Sequence, residues 1–442
     1  MSIALNEERK KQERQLVRKI DLHVMPLFCL FYFVDYLDRS NVSNAVIAGL
    51  KDDINLQGTQ FSTSVSVFFI TYIMFQIPSN MVLKRIGARL WLSIIILVWG
   101  LITLSMALLK DFTGLVITRL FLGAAESGFV PGILFQMSRI YKPQELGFRI
   151  SLLICMAASA GVAAGPIAYA ASKLGDKSDI KGWRYIFIFE GAPTILLSLL
   201  SFWLLFDDIS NVGWLTSTQK QLQEARMAEY IKDDRREPIT LKTIQTVFMD
   251  IKTWVFSVMF TLTSINLTSI TTFSPIIIKG FGFSSLTTQL LTAPPSVIAA
   301  LLILICGLLA DRGNKRAIMV ASGSCLIALG FLLLAILDNR WGSYGAIFVV
   351  AAGMGIQAPI GMSWSTVNYP DLTVRAVAVA VVSMMGNIGN VAASYLYQVP
   401  ESDALYLDKD AHFHTASEGS GHGMYKPFHL FIFVLCYIMF IH

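Results

Sequence analysis

The chain has 442 residues, 54% of them hydrophobic and only 15% charged, with a formal net charge of +5. That balance excludes an ordinary soluble enzyme and describes a polytopic membrane protein. The basic residues sit in short polar stretches beside apolar ones, so they are read as topology, and no nucleic-acid partner is expected.

Residues 1–21 are polar and basic, and too long to be the n-region of a cleaved signal peptide, so they read as a cytosolic N-terminal tail. Stretches able to cross about 30 Å of hydrocarbon follow near 22–48, 62–83, 90–109, 112–138, 149–172 and 183–206. A polar, charge-rich linker over 207–250 separates them from a second set near 251–278, 284–309, 316–337, 342–370, 374–397 and 427–442. The expected fold is all-α, with twelve transmembrane helices in two six-helix bundles, 22–206 and 251–442. With both termini cytosolic, the inside loops hold more than twice as many Lys and Arg as the outside loops. The last stretch, 427–442, reaches only about 24 Å as a helix, so a short or truncated final helix is expected. Before it lies a polar outside loop, 398–426. Its His412, His414 and His422 match no compact ligand spacing, and the loop reads as solvated. The five cysteines all fall in apolar stretches, which indicates neither a disulfide framework nor a zinc site.

Charge inside the apolar spans carries the functional reading. Asp35, Asp38 and Arg39 occupy the first span, and Arg119 and Glu126 the fourth. Each such group at mid-bilayer costs roughly 2.5–3.5 kcal/mol, so the five together stand at the order of 10 kcal/mol. Residues retained against that cost usually line a polar path or bind something. The i, i+3, i+4 spacing puts Asp35, Asp38 and Arg39 toward one helix face. Burial makes a carboxyl hold its proton and a nearby guanidinium makes it release it, so Asp38 beside Arg39 supplies the parts of a proton switch. A structural salt-bridge cluster is the plainer alternative. Arg119 and Glu126 are two helical turns apart, about 10.5 Å on one face. Gly123, Ala124, Ala125, Ser127, Gly128 and Gly132 around them let neighbouring helices approach.

The second half has almost no intramembrane charge. Its polar candidates are Asn266, Gln357, Ser363, Trp364, Asn368, Asn387 and Asn390, suited to reading an uncharged part of a ligand. Asn387 and Asn390 suit helix–helix hydrogen bonding equally well. Glu190, in the outer third of the sixth span, is expected to pair with a basic neighbour or to belong to the site. Gly161, Gly165 and Pro166 read as packing or a hinge.

An internal echo links the halves. NMVLKRIGARLW (Asn80 to Trp91) follows the second span and GLLADRGNKR (Gly307 to Arg316) the eighth. Such parallel repeats mark transporters of two six-helix bundles. The second copy resembles the G-x-x-x-D-R-x-x-x-R loop of the major facilitator superfamily through Gly307, Asp311, Arg312 and Arg316, which implies a gating loop. The first departs from it, with Asn80 at the glycine position and Lys84 at the acidic one. The segments DYLDRSNVSNA, FFITYIMFQIPSN, TRLFLGAAESGFVPG and GWRYIFIFEGAP resemble the anion:cation symporter family of that superfamily. WSTVNYPDLTVRAVAVA, GNIGN and YQVPESDALY look like its fungal branch of allantoate, nicotinate and pantothenate permeases.

The resemblance covers the chain to about residue 406 and implies proton-coupled symport of a small organic carboxylate by alternating access. It implies Asp38 and Glu126 as proton-coupling carboxylates tuned by Arg119, and Arg39 as ligand of the substrate carboxylate. Tyr72 matches a position that lines the cavity, with aromatic packing as its alternative. Gln357, Trp364 and Asn387 complete the expected substrate contacts. The expected partners are a small organic anion, protons and the bilayer, with the protein a monomer in the plasma membrane, and no cofactor or metal. No nucleophile with its base and no phosphate-cradling loop indicates an enzyme. The rival readings are a non-transporting nutrient sensor on the same fold and an inactive truncated form.

Overall fold

A computed structural model describes residues 2–232, 241–310, 316–369 and 372–396. Every regular element among them is helical. Those of seven residues or more are, in chain order, α1 (Ser2–Ala45), α2 (Gln60–Ile86), α3 (Ala88–Ser105), α4 (Phe112–Glu126), α5 (Phe129–Ile140), α6 (Pro143–Gly175), α7 (Gly182–Leu204), α8 (Ser217–Lys232), α9 (Leu241–Met249), α10 (Ile251–Gly280), α11 (Ser285–Leu291), α12 (Ala293–Ala310), α13 (Arg316–Ile336), α14 (Arg340–Val367) and α15 (Leu372–Leu396). Eleven stretches among the described residues are long and apolar enough to cross a membrane. The expected twelfth, 427–442, and the loop 398–426 lie outside the described residues.

Two expected spans are each built from two helices. The fourth breaks at Ser127 and Gly128 because Pro131 has no N–H to give the Ser127 carbonyl. The eighth breaks at Thr292, where Pro294 and Pro295 remove the next two donors. The first span differs in the other direction. Residues 2–21, read as a tail, continue the helix of the first span without interruption, as 44 residues of α1. Leu16 and Ile20 on this extension are buried, and its charges dock on neighbouring polar segments. Glu13 meets Lys142 at 3.2 Å and Asp21 meets Arg149 at 2.6 Å. Lys19 donates to Gln219 of α8 at 3.0 Å, and Arg226 of α8 pairs with Glu145.

The buried apolar residues form a large cluster from α1 to the segment after α7 and a second from α9 to α15. Within the first half, α2 packs on α4 and α3 on α7. Gly123 makes the first contact possible, since a Cβ there would stand 2.2 Å from the Phe68 carbonyl oxygen. The halves meet where α6 lies along α12, α2 along α15 and α1 along α10. Gly165 sits in that seam, with the Gln289 carbonyl oxygen 2.0 Å from where a Cβ would be. At the face opposite the N-terminal extension, Phe61 of α2 meets Phe273 of α10 edge-on at 5.9 Å. There too, Gln289 of α11 donates to Ser172 of α6 at 3.1 Å.

Candidate functional site

Four helices of the first half converge on a buried charge cluster: α1 brings Asp35, Asp38, Arg39 and Asn41, α3 brings Trp99, α4 brings Arg119 and Glu126, and α7 brings Glu190 and Thr194. Asp35, Asp38 and Glu126 have no exposure, Glu190 is 2% exposed and Arg119 3%. The Arg39 side chain alone reaches outward, at 18%.

Arg39 is held between two carboxylates. Its Nε donates to Glu126 Oε2 at 3.1 Å and its Nη2 to Asp35 Oδ1 at 3.2 Å. Aromatic rings enclose its guanidinium carbon, with Tyr36 at 5.0 Å, Tyr72 at 5.1 Å and Phe68 at 5.9 Å from ring centre. Such faces attract a cation, most strongly when it is desolvated.

Asp38 does not pair with Arg39, which corrects the expectation drawn from their adjacency. Neighbouring helical residues diverge by about 100°, so Asp38 turns into the bundle while Arg39 faces the other half. There the Trp99 indole N–H donates to Asp38 Oδ2 at 2.6 Å, and Thr194 Oγ1 lies 3.4 Å from the same oxygen. Arg119 donates to Asn41 Oδ1 at 2.9 Å and has no carboxylate oxygen within 4.0 Å among the described residues. Among the described residues, Asp38 Oδ1, Glu126 Oε1 and both Glu190 oxygens are buried without a well-formed hydrogen bond. Glu190, then, has no basic partner at contact distance among those residues, and stands instead near the Asn41 amide and within electrostatic reach of Asp38 and Arg119.

Between the halves lie two adjoining cavities. One of about 60 Å³ is lined by Arg39, Arg119, Tyr36, Phe68, Thr268, Thr271 and Asn390. The other, of about 110 Å³, is mostly apolar and reaches Gly161 and Ser296. On the second-half wall, Thr268 Oγ1 donates to Asn390 Oδ1 at 2.8 Å, and the Asn390 amide donates to Asn387 at 3.3 Å. Both readings of this pair therefore apply to Asn390, which joins two helices and borders the cavity.

Two expected contacts point elsewhere. Gln357 donates to Ser324 of α13 at 3.3 Å, inside the second half. Trp364 packs edge-on against Phe256 at 5.4 Å and lines neither cavity. Arg316 opens α13, while Asp311, Arg312 and the Ser363 side chain fall outside the described residues. Trp99, Thr194 and the Tyr36 and Phe68 rings were not singled out in the sequence. A usable signal existed for Trp99, because an indole N–H in mid-span needs a partner.

Residues 28–394 match the profile of the Major Facilitator Superfamily. The chain is 31% identical over 396 residues to the Major facilitator-type transporter hxnP of Emericella nidulans, covering 87% of this chain and 79% of that one. It is 30% identical over 383 residues to the MFS-type transporter efuF of Hormonema carpetanum, covering 86% and 78%. Among solved structures it resembles a bacterial homolog of the human lysosomal transporter Spinster, inward-facing and unoccupied. That match has a TM-score of 0.67 at 17% identity and covers 84% and 80% of the two chains. The profile over most of the chain, the two helical halves and the cavity between them agree: this protein belongs to the Major Facilitator Superfamily and is a multi-pass membrane transporter.

Proposed function

We propose that the protein is a proton-coupled symporter of a small organic carboxylate, worked by rocking its two halves about the cavities. The observation that carries this reading is Arg39, a permanent cation at the cavity wall whose fork is occupied by Asp35 and Glu126. A planar guanidinium meets a carboxylate with two parallel hydrogen bonds, so an entering organic anion competes with the protein's own carboxylates for the same donors. A carboxylate released from Arg39 while buried is stabilised by taking a proton. Substrate binding and proton binding then favour each other, as symport requires. Asn390 and the threonines of α10 supply neutral hydrogen-bonding groups for the rest of the cargo, such as nicotinate, pantothenate or allantoate.

With a negative-inside potential worth about 2.3 kcal/mol per charge per 100 mV, a monoanion needs more than one proton to move inward with net positive charge. Asp38 and Glu126 are the proposed carriers, with Arg119 tuning them, the termini cytosolic and one chain as the working unit.

The test is uptake of radiolabelled nicotinate, pantothenate and allantoate at two outside pH values, in cells lacking their own carriers. Accumulation of one of them is expected to rise at acidic outside pH and to collapse with a protonophore. Glu126→Gln should abolish the pH-driven part. If it accumulated as well as wild type, the proton role of Glu126 would be wrong.

A further inference from the structure

Glu190 is a buried carboxyl that the scheme above leaves without a task. The cluster holds four carboxylates, Asp35, Asp38, Glu126 and Glu190, against two guanidiniums, Arg39 and Arg119. Asp35 and Glu126 contact Arg39, and Glu126, Asp38 and Glu190 act on Arg119, so Glu126 is shared between the two cations. One buried guanidinium compensates one carboxylate, and a second ionised carboxylate in the same dry site is left uncompensated. With four carboxylates to two guanidiniums, the cluster as a whole therefore retains protons.

The hydrogen bonds distinguish between Asp38 and Glu190 as the holder of one. An indole N–H only donates, so Asp38 Oδ2, 2.6 Å from Trp99 Nε1, is an acceptor. A donor at that distance favours the ionised form. Among the described residues Glu190 receives no comparable donor: neither of its oxygens has a well-formed hydrogen bond, and the Asn41 side chain is only a looser polar neighbour. The Thr194 hydroxyl that could have served it is 2.7 Å from the Glu190 backbone carbonyl and directs its single hydrogen there. The groups acting on Glu190 are Asp38 and the neutral Asn41 amide from α1 and Arg119 from α4, while α3 presents the neutral Trp99 beside Asp38.

We propose that Glu190 is a third proton-holding carboxyl of the cluster, neutral in this conformation, with Asp38 as the ionised counter-charge of Arg119. Glu190 lies on α7 one turn before Thr194, so it shares a helix face with the hydroxyl that stands 3.4 Å from Asp38 Oδ2. When the Glu190 O–H proton moves to Asp38 Oδ1, Glu190 is left as the carboxylate that balances Arg119, and the total charge of the pair is unchanged. Glu190 thus positions the charge on Arg119 and decides when Asp38 is free to load.

This assignment rests on the proton-coupled reading of the cluster, but its test needs no cargo. Infrared spectra of the purified full chain in liposomes, titrated with pH, report the C=O stretch of protonated carboxyls. A band present at neutral pH is expected to shift in Glu190→Asp, to disappear in Glu190→Gln and to persist in Glu126→Gln. Glu190→Asp keeps the carboxyl should the glutamine variant fold poorly. A band at the wild-type position and strength in Glu190→Asp would overturn the proposal. A wild-type protein that shows the Glu190 band yet accumulates no organic anion would retract the symport reading and leave the proton on Glu190.

Discussion

At the scale of residues, Arg39 concentrates the chemistry, because it faces two carboxylates, three aromatic rings and the cavity at once. Replacement by lysine keeps the charge but loses the planar fork, so a carboxylate can no longer be met by two parallel hydrogen bonds. A hydrogen bond between charged groups contributes about 1.5–3 kcal/mol, hence Arg39→Lys should raise the KM for uptake by roughly tenfold to a hundredfold. An unchanged KM would remove Arg39 from the substrate site. The charges themselves were legible in the sequence, since Asp35, Asp38, Arg39, Arg119 and Glu126 stand out against apolar spans. Their pairing was not, because adjacency along the chain hides the divergence that sends Asp38 to Trp99 and Arg39 to Glu126. The neighbours of Gln357 and Trp364, Ser324 and Phe256 in this structure, were not legible for a related reason. A span apolar on all sides gives no stripe from which to tell the face toward the cavity from the face toward a neighbouring helix.

At the scale of elements, close approach decides what can move. The seam between α6 and the α11–α12 segment depends on Gly165, where a side chain would meet backbone that cannot swing aside. Gly165→Val is expected to push the helices apart, lowering the detergent melting temperature and abolishing uptake. A variant that retained both would show that the halves can part there freely. Of the elements, the spans were readable by length and hydropathy, and the breaks at Pro131 and Pro294 were latent in the chemistry of proline. The helical course of residues 2–21 was concealed by polarity. Its sparse apolar positions, Leu16 and Ile20, become informative only once the Lys142–Arg149 region and α8 are present to receive them.

At the scale of the whole molecule, intramembrane charge belongs to one half and neutral polarity to the other. The contact between Ser172 and Gln289 ties the halves at one face, and alternating access requires it to open. Ser172→Cys with Gln289→Cys should oxidise to a disulfide that stops uptake, with activity restored by reduction. Uptake that continued through the oxidised form would exclude rocking at this seam. The long α1 adds a mechanical consequence. It carries Arg39 near one end, and its 44 residues extend about 66 Å, with its far portion fastened to Lys142, Arg149 and α8. Fastened in this way, the extension moves with the first half as one body, and Lys10 lies about 43 Å along the helix from Arg39. A rotation of that half by a few degrees carries Lys10 through several ångströms, so a fluorophore there offers a readout of the cycle that never touches the cargo.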